Sequence, residues 1–329
     1  MKLDHLLLVS TSSRPVDYSR CSYDALKSRY SDESRLESMP RLSDLSALLD
    51  GHASYDGSLS VYHVSGSEHH IQLRFIKKVV GNGKIQHGII SGNTLVICYE
   101  DRVEFMPDWD RNDASTDVVD DNWFAGLHTI FEDKHGDFVV SSSAADAVLV
   151  LDGQRRTVKR RMRLPKSIYG ENYELTETVN LKDHYIHNDL QLGHLNAAFP
   201  DEFGNIWVTT LIQGDVGCFG EDGSYDRVLT GYVGAHGARR VAGADTIYFS
   251  DSCRGRLVLT DLNGSVRGGY ETASRWMHDA QHLCGSLYLL GAPDLGSLLA
   301  VNVETRDIQE FKLPVEDNIV QFLSLKPLS

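Results

Sequence analysis

The chain has 329 residues, 41% of them hydrophobic and 24% charged, with 32 basic against 46 acidic residues and a formal charge of −14. That balance opposes binding to a polyanion such as nucleic acid. No run approaches the ~20 apolar residues that cross a bilayer as a helix, and "LLLVS" near the start is too short for a secretory signal. The expectation is a cytoplasmic protein without a membrane partner, working as a monomer or homodimer on a small molecule.

In chain order the pattern is almost entirely β. "DHLLLVSTS" at 4–12 reads as a strand. A charged insertion of about 12–56 follows, with a weak helical pattern over 32–50. "GSLSVYHV" at 57–64 and "HIQLRFIKKV" at 70–79 are two further strands. Then short runs rich in Val, Ile, Leu, Phe and Tyr alternate with Gly, Asp, Asn and Ser, the signature of strands and turns. The dense basic run "RRTVKRRMRLP" at 155–165 reads as an outer strand with solvated charges. Cys21, Cys98, Cys218, Cys253 and Cys284 are odd in number and contain no CxxC pair, so no disulfide framework or cysteine zinc site is expected.

These runs repeat. "QHGIISGNTLVICYEDRVEFM", "LHTIFEDKHGDFVVSSSAADAVLVLD", "GHLNAAFPDEFGNIWVTTLIQGDVGCF", "AHGARRVAGADTIYFSDSCRGRLVLTD" and "MHDAQHLCGSLYLLGAPDLGSLLAVN" align, and each carries a histidine at its start. The histidines are His87, His128, His194, His236 and His278, separated by 41, 66, 42 and 42 residues. A period near 42 with four short strands marks a β-propeller. "VQFLSL" at 320–325 supplies the first strand of a sixth unit, whose other strands are the N-terminal ones. The expected fold is an all-β, six-bladed propeller forming a single domain over residues 1–329, with one blade closed by both termini.

The five histidines begin inner strands, so they are expected to gather at one mouth of the central channel. The insertions at about 12–56 and 166–190 leave the repeat on that same face. Imidazoles in register suit a divalent metal such as Mn or Fe, or Zn, Ni or Cu, with an open position for substrate, whereas Mg is implied only by the resemblance given below. His194, His236 and His278 are the first choice of ligands, completed by His128 or His87. Hydrogen-bonded links between blades are the competing reading of the same residues. His282, four residues after His278, is a further catalytic candidate. Gln321 falls at the sixth inner-strand position. Arg239 and Arg240 are read either as holders of a substrate carboxylate or as inter-blade salt bridges. Within the second insertion, His187 and Tyr173 are the candidate general acid or base.

"GAHGARRVAGADTIYFSDSCRGRLVLTD" and "EFGNIWVTT" resemble repeats of the streptogramin lyase-like proteins, relatives of the gluconolactonase-like propellers. The resemblance covers residues 84–310 at repeat level. In that family two histidines of adjacent blades act with magnesium to open a cyclic depsipeptide by elimination. His236 and His278 match them, while Trp276 stands where the family carries an acid. The resemblance implies a metal-dependent lyase that abstracts a proton from a small metabolite, ester or sugar-derived substrate. A non-haem iron oxygenase using the same histidines, and a ligand-binding or scaffolding propeller without catalysis, are the alternatives.

Overall fold

The computed structural model describes residues 2–12, 24, 57–80, 83–111, 115–170, 175–176, 178–184, 191–232, 234–314 and 319–328. Six four-stranded antiparallel sheets form six blades. In the first blade the C-terminal strand Ile319–Pro327 lies innermost and pairs with the N-terminal strand Lys2–Ser12, followed outward by Gly57–Ser67 and His70–Val80. Both termini therefore close one sheet, which removes an edge from the ring. The remaining inner strands are Ile85–Ser91, Leu127–Glu132, Leu195–Pro200, Ala235–Arg240 and Asp279–Cys284, in blades 2 to 6. The weak helical pattern over 32–50 lies outside the described residues.

Strand burial follows position in the blade. Phe138–Ser142 and Ala147–Leu151, in the middle of blade 3, are buried at every residue. Sheets flanked on both faces need apolar or small side chains on both. The outer strand Val158–Arg163 carries the basic run and is only partly buried. The first hairpins of blades 3 and 4 turn on aspartates. Asp133 accepts from the N–H of His135 (2.8 Å) and of Asp137 (3.0 Å), and Asp201 from those of Phe203 and Asn205 (both 2.9 Å). These side-chain turns supply the punctuation that repeats along the sequence.

Inner strands of neighbouring blades share no ladder, so their polar groups need other partners. Side chains stitch every adjacent pair. Ser324 Oγ donates to Gly88 O between blades 1 and 2, and Ile130 N–H donates to His87 Nδ1 (3.1 Å) between blades 2 and 3. Ala198 N–H donates to Thr129 Oγ1 (3.0 Å) between blades 3 and 4, and Asn196 Nδ2 to Ala235 O (2.7 Å) between blades 4 and 5. Arg239 bonds to Asp279 (2.7 Å) between blades 5 and 6, and Leu323 N–H donates to the same carboxylate (2.8 Å), closing the ring at blade 1. Among the described residues no helix is long and apolar enough to cross a membrane.

Candidate functional site

Four of the five repeat histidines meet at the start of the inner strands. His128 and His194 face each other edge-on with ring centroids 5.0 Å apart. His236 and His278 lie 4.6 Å apart, with Trp276 packed against both rings. Phe322 from the closing strand packs against His128 and His278.

The backbone selects the tautomer of three rings. His128 Nδ1 lies 2.7 Å from Gly126 O, His236 Nδ1 2.8 Å from Gly234 O, and His278 Nδ1 against Gln321 O. A carbonyl only accepts, so each Nδ1 carries the proton and each Nε2 keeps a bare lone pair. Burial is the main cause that pushes all four rings down. His128 falls to about 4, with Lys84 opposing its charge further, and His278 also falls to about 4. His194 and His236 are lowered well below the ordinary value, His194 next by His128 and His236 next by His278. At neutral pH the cluster is therefore uncharged.

"GAHGARRV" shows how local sequence permits this. Gly234 and Gly237 flank His236 with φ of 81° and 64°, in the left-handed region. A Cβ on Gly237 would stand 2.2 Å from Asp279 Oδ1, and one on Gly234 would stand 2.6 Å from Cys253 Sγ. Only glycine meets both conditions at each position.

His194 is held differently. Its φ is +51°, in the left-handed region that few side chains adopt. The half-buried carboxylate of Asp146, from blade 3, accepts from Gly193 N–H (3.0 Å) and Leu195 N–H (3.1 Å) on either side of it. The ring is 3% exposed and its Nδ1 has no partner. Asp146 thus secures a strained backbone that presents an unsatisfied imidazole to His128. Asp146→Ala strands both N–H groups and is expected to cost about 2–4 kcal/mol, at ~1–3 kcal/mol per orphaned group with partial relaxation. Urea unfolding measures the loss, and a change under 0.5 kcal/mol would refute the clamp.

The fifth histidine stands apart. His87 Nδ1 accepts from Ile130 N–H, its Nε2 faces Leu323 O at 3.3 Å, and its ring packs on Phe131 and Phe322. Burial, and then Arg239, hold it down at about 3. With both nitrogens engaged by backbone, His87 links blades 1, 2 and 3. His282 lies four residues along its strand from His278, ~13 Å at 3.3 Å per residue. There its Nε2 meets Gly285 O at 3.0 Å and its ring packs on Tyr248 and Tyr288, away from the cluster. His187 and Tyr173 lie outside the described residues.

The two arginines are salt bridges between or within blades. Arg239 pairs with Asp279, and Arg240 reaches Asp245 (3.2 Å) and Asp201 of blade 4 (3.8 Å). Part of the second insertion sits beside blades 2 and 3: Leu181 N–H donates to Asn122 O (2.8 Å), and Trp123 Nε1 donates to Thr176 O (3.2 Å).

Among the described residues no group of three His, Cys, Asp or Glu is placed to hold an ion. The four rings form two pairs, and Trp276 packs against both rings of one of them.

Sequence reasoning had no signal for Lys84, whose ammonium acts on three of the rings. Asp146 had a faint one, because Asp215 holds the same place at the start of the third strand of the next blade.

Several solved structures share this architecture. A streptogramin B lyase superposes with a TM-score of 0.54 at 12% identity, over 78% of this chain and 80% of that one. A Staphylococcus aureus virginiamycin B lyase gives 0.53 at 10%, over 79% and 82%. The likeness is one of fold. A structure from a nidogen/laminin complex matches as well, with a TM-score of 0.58 at 10% identity over 98% of both chains. No protein-family model matches the sequence, and no curated protein does.

Proposed function

We propose that the chain is a lyase that removes a proton from the carbon beside an acyl group and expels a leaving group from the next carbon. The observation that carries this reading is the set of three Nδ1–H groups anchored on carbonyls, at His128, His236 and His278. It leaves neutral Nε2 lone pairs on desolvated rings, which is the state a general base requires. The His236–His278 pair, with ring centroids 4.6 Å apart, offers two such bases. The ring that takes the proton becomes an imidazolium, made acidic by burial, and returns that proton to the leaving oxygen. The fold of the two B-type lyases supports the same reaction class, and a catalytically inactive histidine-to-alanine variant of the virginiamycin enzyme has been solved with quinupristin.

The test is incubation with a panel of esters and lactones, including a streptogramin B, in D2O. Elimination gives ring-opened isomers of unchanged mass or deuterium at the carbon beside the carbonyl. Products that gain a water would identify a hydrolase and overturn the reading. His278→Ala is expected to lower the rate by ~10²–10⁴, the usual loss for a general acid or base.

Anchored Nδ1–H groups are also the tautomer of metal-ligating imidazoles, which favours a second reading in which a divalent ion sits on one ring pair with substrate and water completing its shell. Calorimetric titration with Mn2+ decides it: binding that His236→Ala abolishes would favour a metal-dependent lyase, and Fe(II) binding with oxygen uptake an oxygenase.

A further inference from the structure

We infer that Lys84 is the charge partner of the imidazole array and that the site takes acyl compounds whose negative oxygen is received by its ammonium. This rests on the lyase reading above and names the group that recognises the substrate.

Lys84 immediately precedes the inner strand of blade 2, on the face where the rings lie. Glu100 N–H donates to Lys84 O (3.1 Å), and Glu100 O accepts from Leu127 N–H (2.9 Å). Leu127 directly precedes His128, so backbone bonds hold the Lys84 backbone next to the start of the strand that carries that ring. The ammonium is 3.3 Å from Glu100 Oε1, with the lysine side chain 20% exposed and the glutamate 50%. An ion pair with a half-exposed carboxylate is worth little, so the ammonium can exchange it for a competing anion. Lys84 opposes protonation of His128, His194 and His278, whereas His236 is not among the rings it affects.

The rings alone do not suit an anion. Three bare Nε2 lone pairs repel a negative oxygen and attract a proton. The ammonium does the reverse. A substrate is thereby oriented with its oxygen toward Lys84 and its acidic C–H toward a ring.

The chemistry closes without an oxidant or a metal. An Nε2 takes the proton from the carbon beside the carbonyl, and the C–H electron pair moves to the oxygen as an enolate facing the ammonium. The enolate then collapses to a carbon–carbon double bond as the bond to the leaving oxygen breaks. That oxygen takes its proton from the imidazolium. A fixed positive charge at the developing oxyanion is the most effective single aid to such a step.

Malonate, a dicarboxylate with an acidic C–H, is the probe, titrated into the full chain while histidine ring resonances are followed by NMR. Saturable shifts of His128 and His278 are expected. Lys84→Met should weaken binding by at least about tenfold, equal to ~1.4 kcal/mol, while Lys84→Arg stays within about threefold. Uncharged malonamide should leave the rings unmoved. Equal binding by Lys84→Met, or malonamide binding as well as malonate, overturns the inference. Turnover separates it from the function it rests on. A chain that binds malonate through Lys84 but converts no acyl compound loses only the lyase reading. A chain whose Lys84→Met variant turns over substrate undiminished loses only the role of Lys84.

Discussion

Arg239→Ala is expected to destabilise the protein by about 3–5 kcal/mol, the loss typical of removing one partner from a buried ion pair. The side chain is 1% exposed and among the largest fully buried ones. Its guanidinium donates to Asp279 Oδ2 (2.7 Å), Gln281 Oε1 and Leu323 O (both 3.1 Å) and Ala280 O, and it lies 5.2 Å from the Phe131 ring. Burial opposes its charge, but Asp279 and Tyr248 outweigh that and hold it above its ordinary range. Truncation leaves a buried carboxylate whose Oδ1 already lacks a partner. It also opens the joint where blades 5, 6 and 1 meet. The double variant Arg239→Met with Asp279→Leu removes both charges and should regain much of the loss, because apolar replacement of a buried pair is often neutral. Urea unfolding of the three chains is the measurement. A single variant within 1 kcal/mol of wild type would show that the pair does not hold the ring closed.

Stability should fall steeply from pH 6.5 toward pH 4. His87, at about 3, and His128 and His278, at about 4, titrate well below the ordinary imidazole value when folded, and His194 and His236 share the direction. In the unfolded chain the same rings return to about 6.5. Between those limits the unfolded state binds more protons, so acid favours it and stability rises with pH. Each such ring adds at most ~1.4 kcal/mol per pH unit within the window. Ordinary carboxylates titrate mainly below about 4.3, so the two contributions separate on the pH axis. Unfolding free energies at pH 7.5, 6, 5 and 4.5 give the slope, and His87→Gln should reduce it by one ring's share whatever it does to absolute stability. A flat profile above pH 5 would mean that these rings are not desolvated when folded.

The propeller was readable because its repeat is written in strand chemistry. Val, Ile and aromatic runs sit between Asp and Gly turns, and a histidine recurs near each 42-residue period. The order of strands in the closing blade was also readable, since "VQFLSL" resembles a first strand and the N-terminal segment lacks one. The site was only partly readable. Periodicity put five histidines at inner-strand starts, but it could not show that Ile130 N–H and Leu323 O would engage both nitrogens of His87. Nor could it separate a substrate-binding arginine from a structural one, because Arg239 meets its carboxylate only across a blade boundary.

By itself, then, the sequence determined the number of blades, the innermost strand of each and the residues that begin those strands. Such properties depend on local patterning and on its period. The tertiary structure alone decided which rings face one another, that Gln321 O anchors His278, and that Asp146 clamps the backbone around His194. Those outcomes depend on burial and on contacts between residues about 40 or more apart in the chain, such as Gln321 beside His278 and Asp146 beside Gly193 and Leu195. Closure of the ring sets the distances among them.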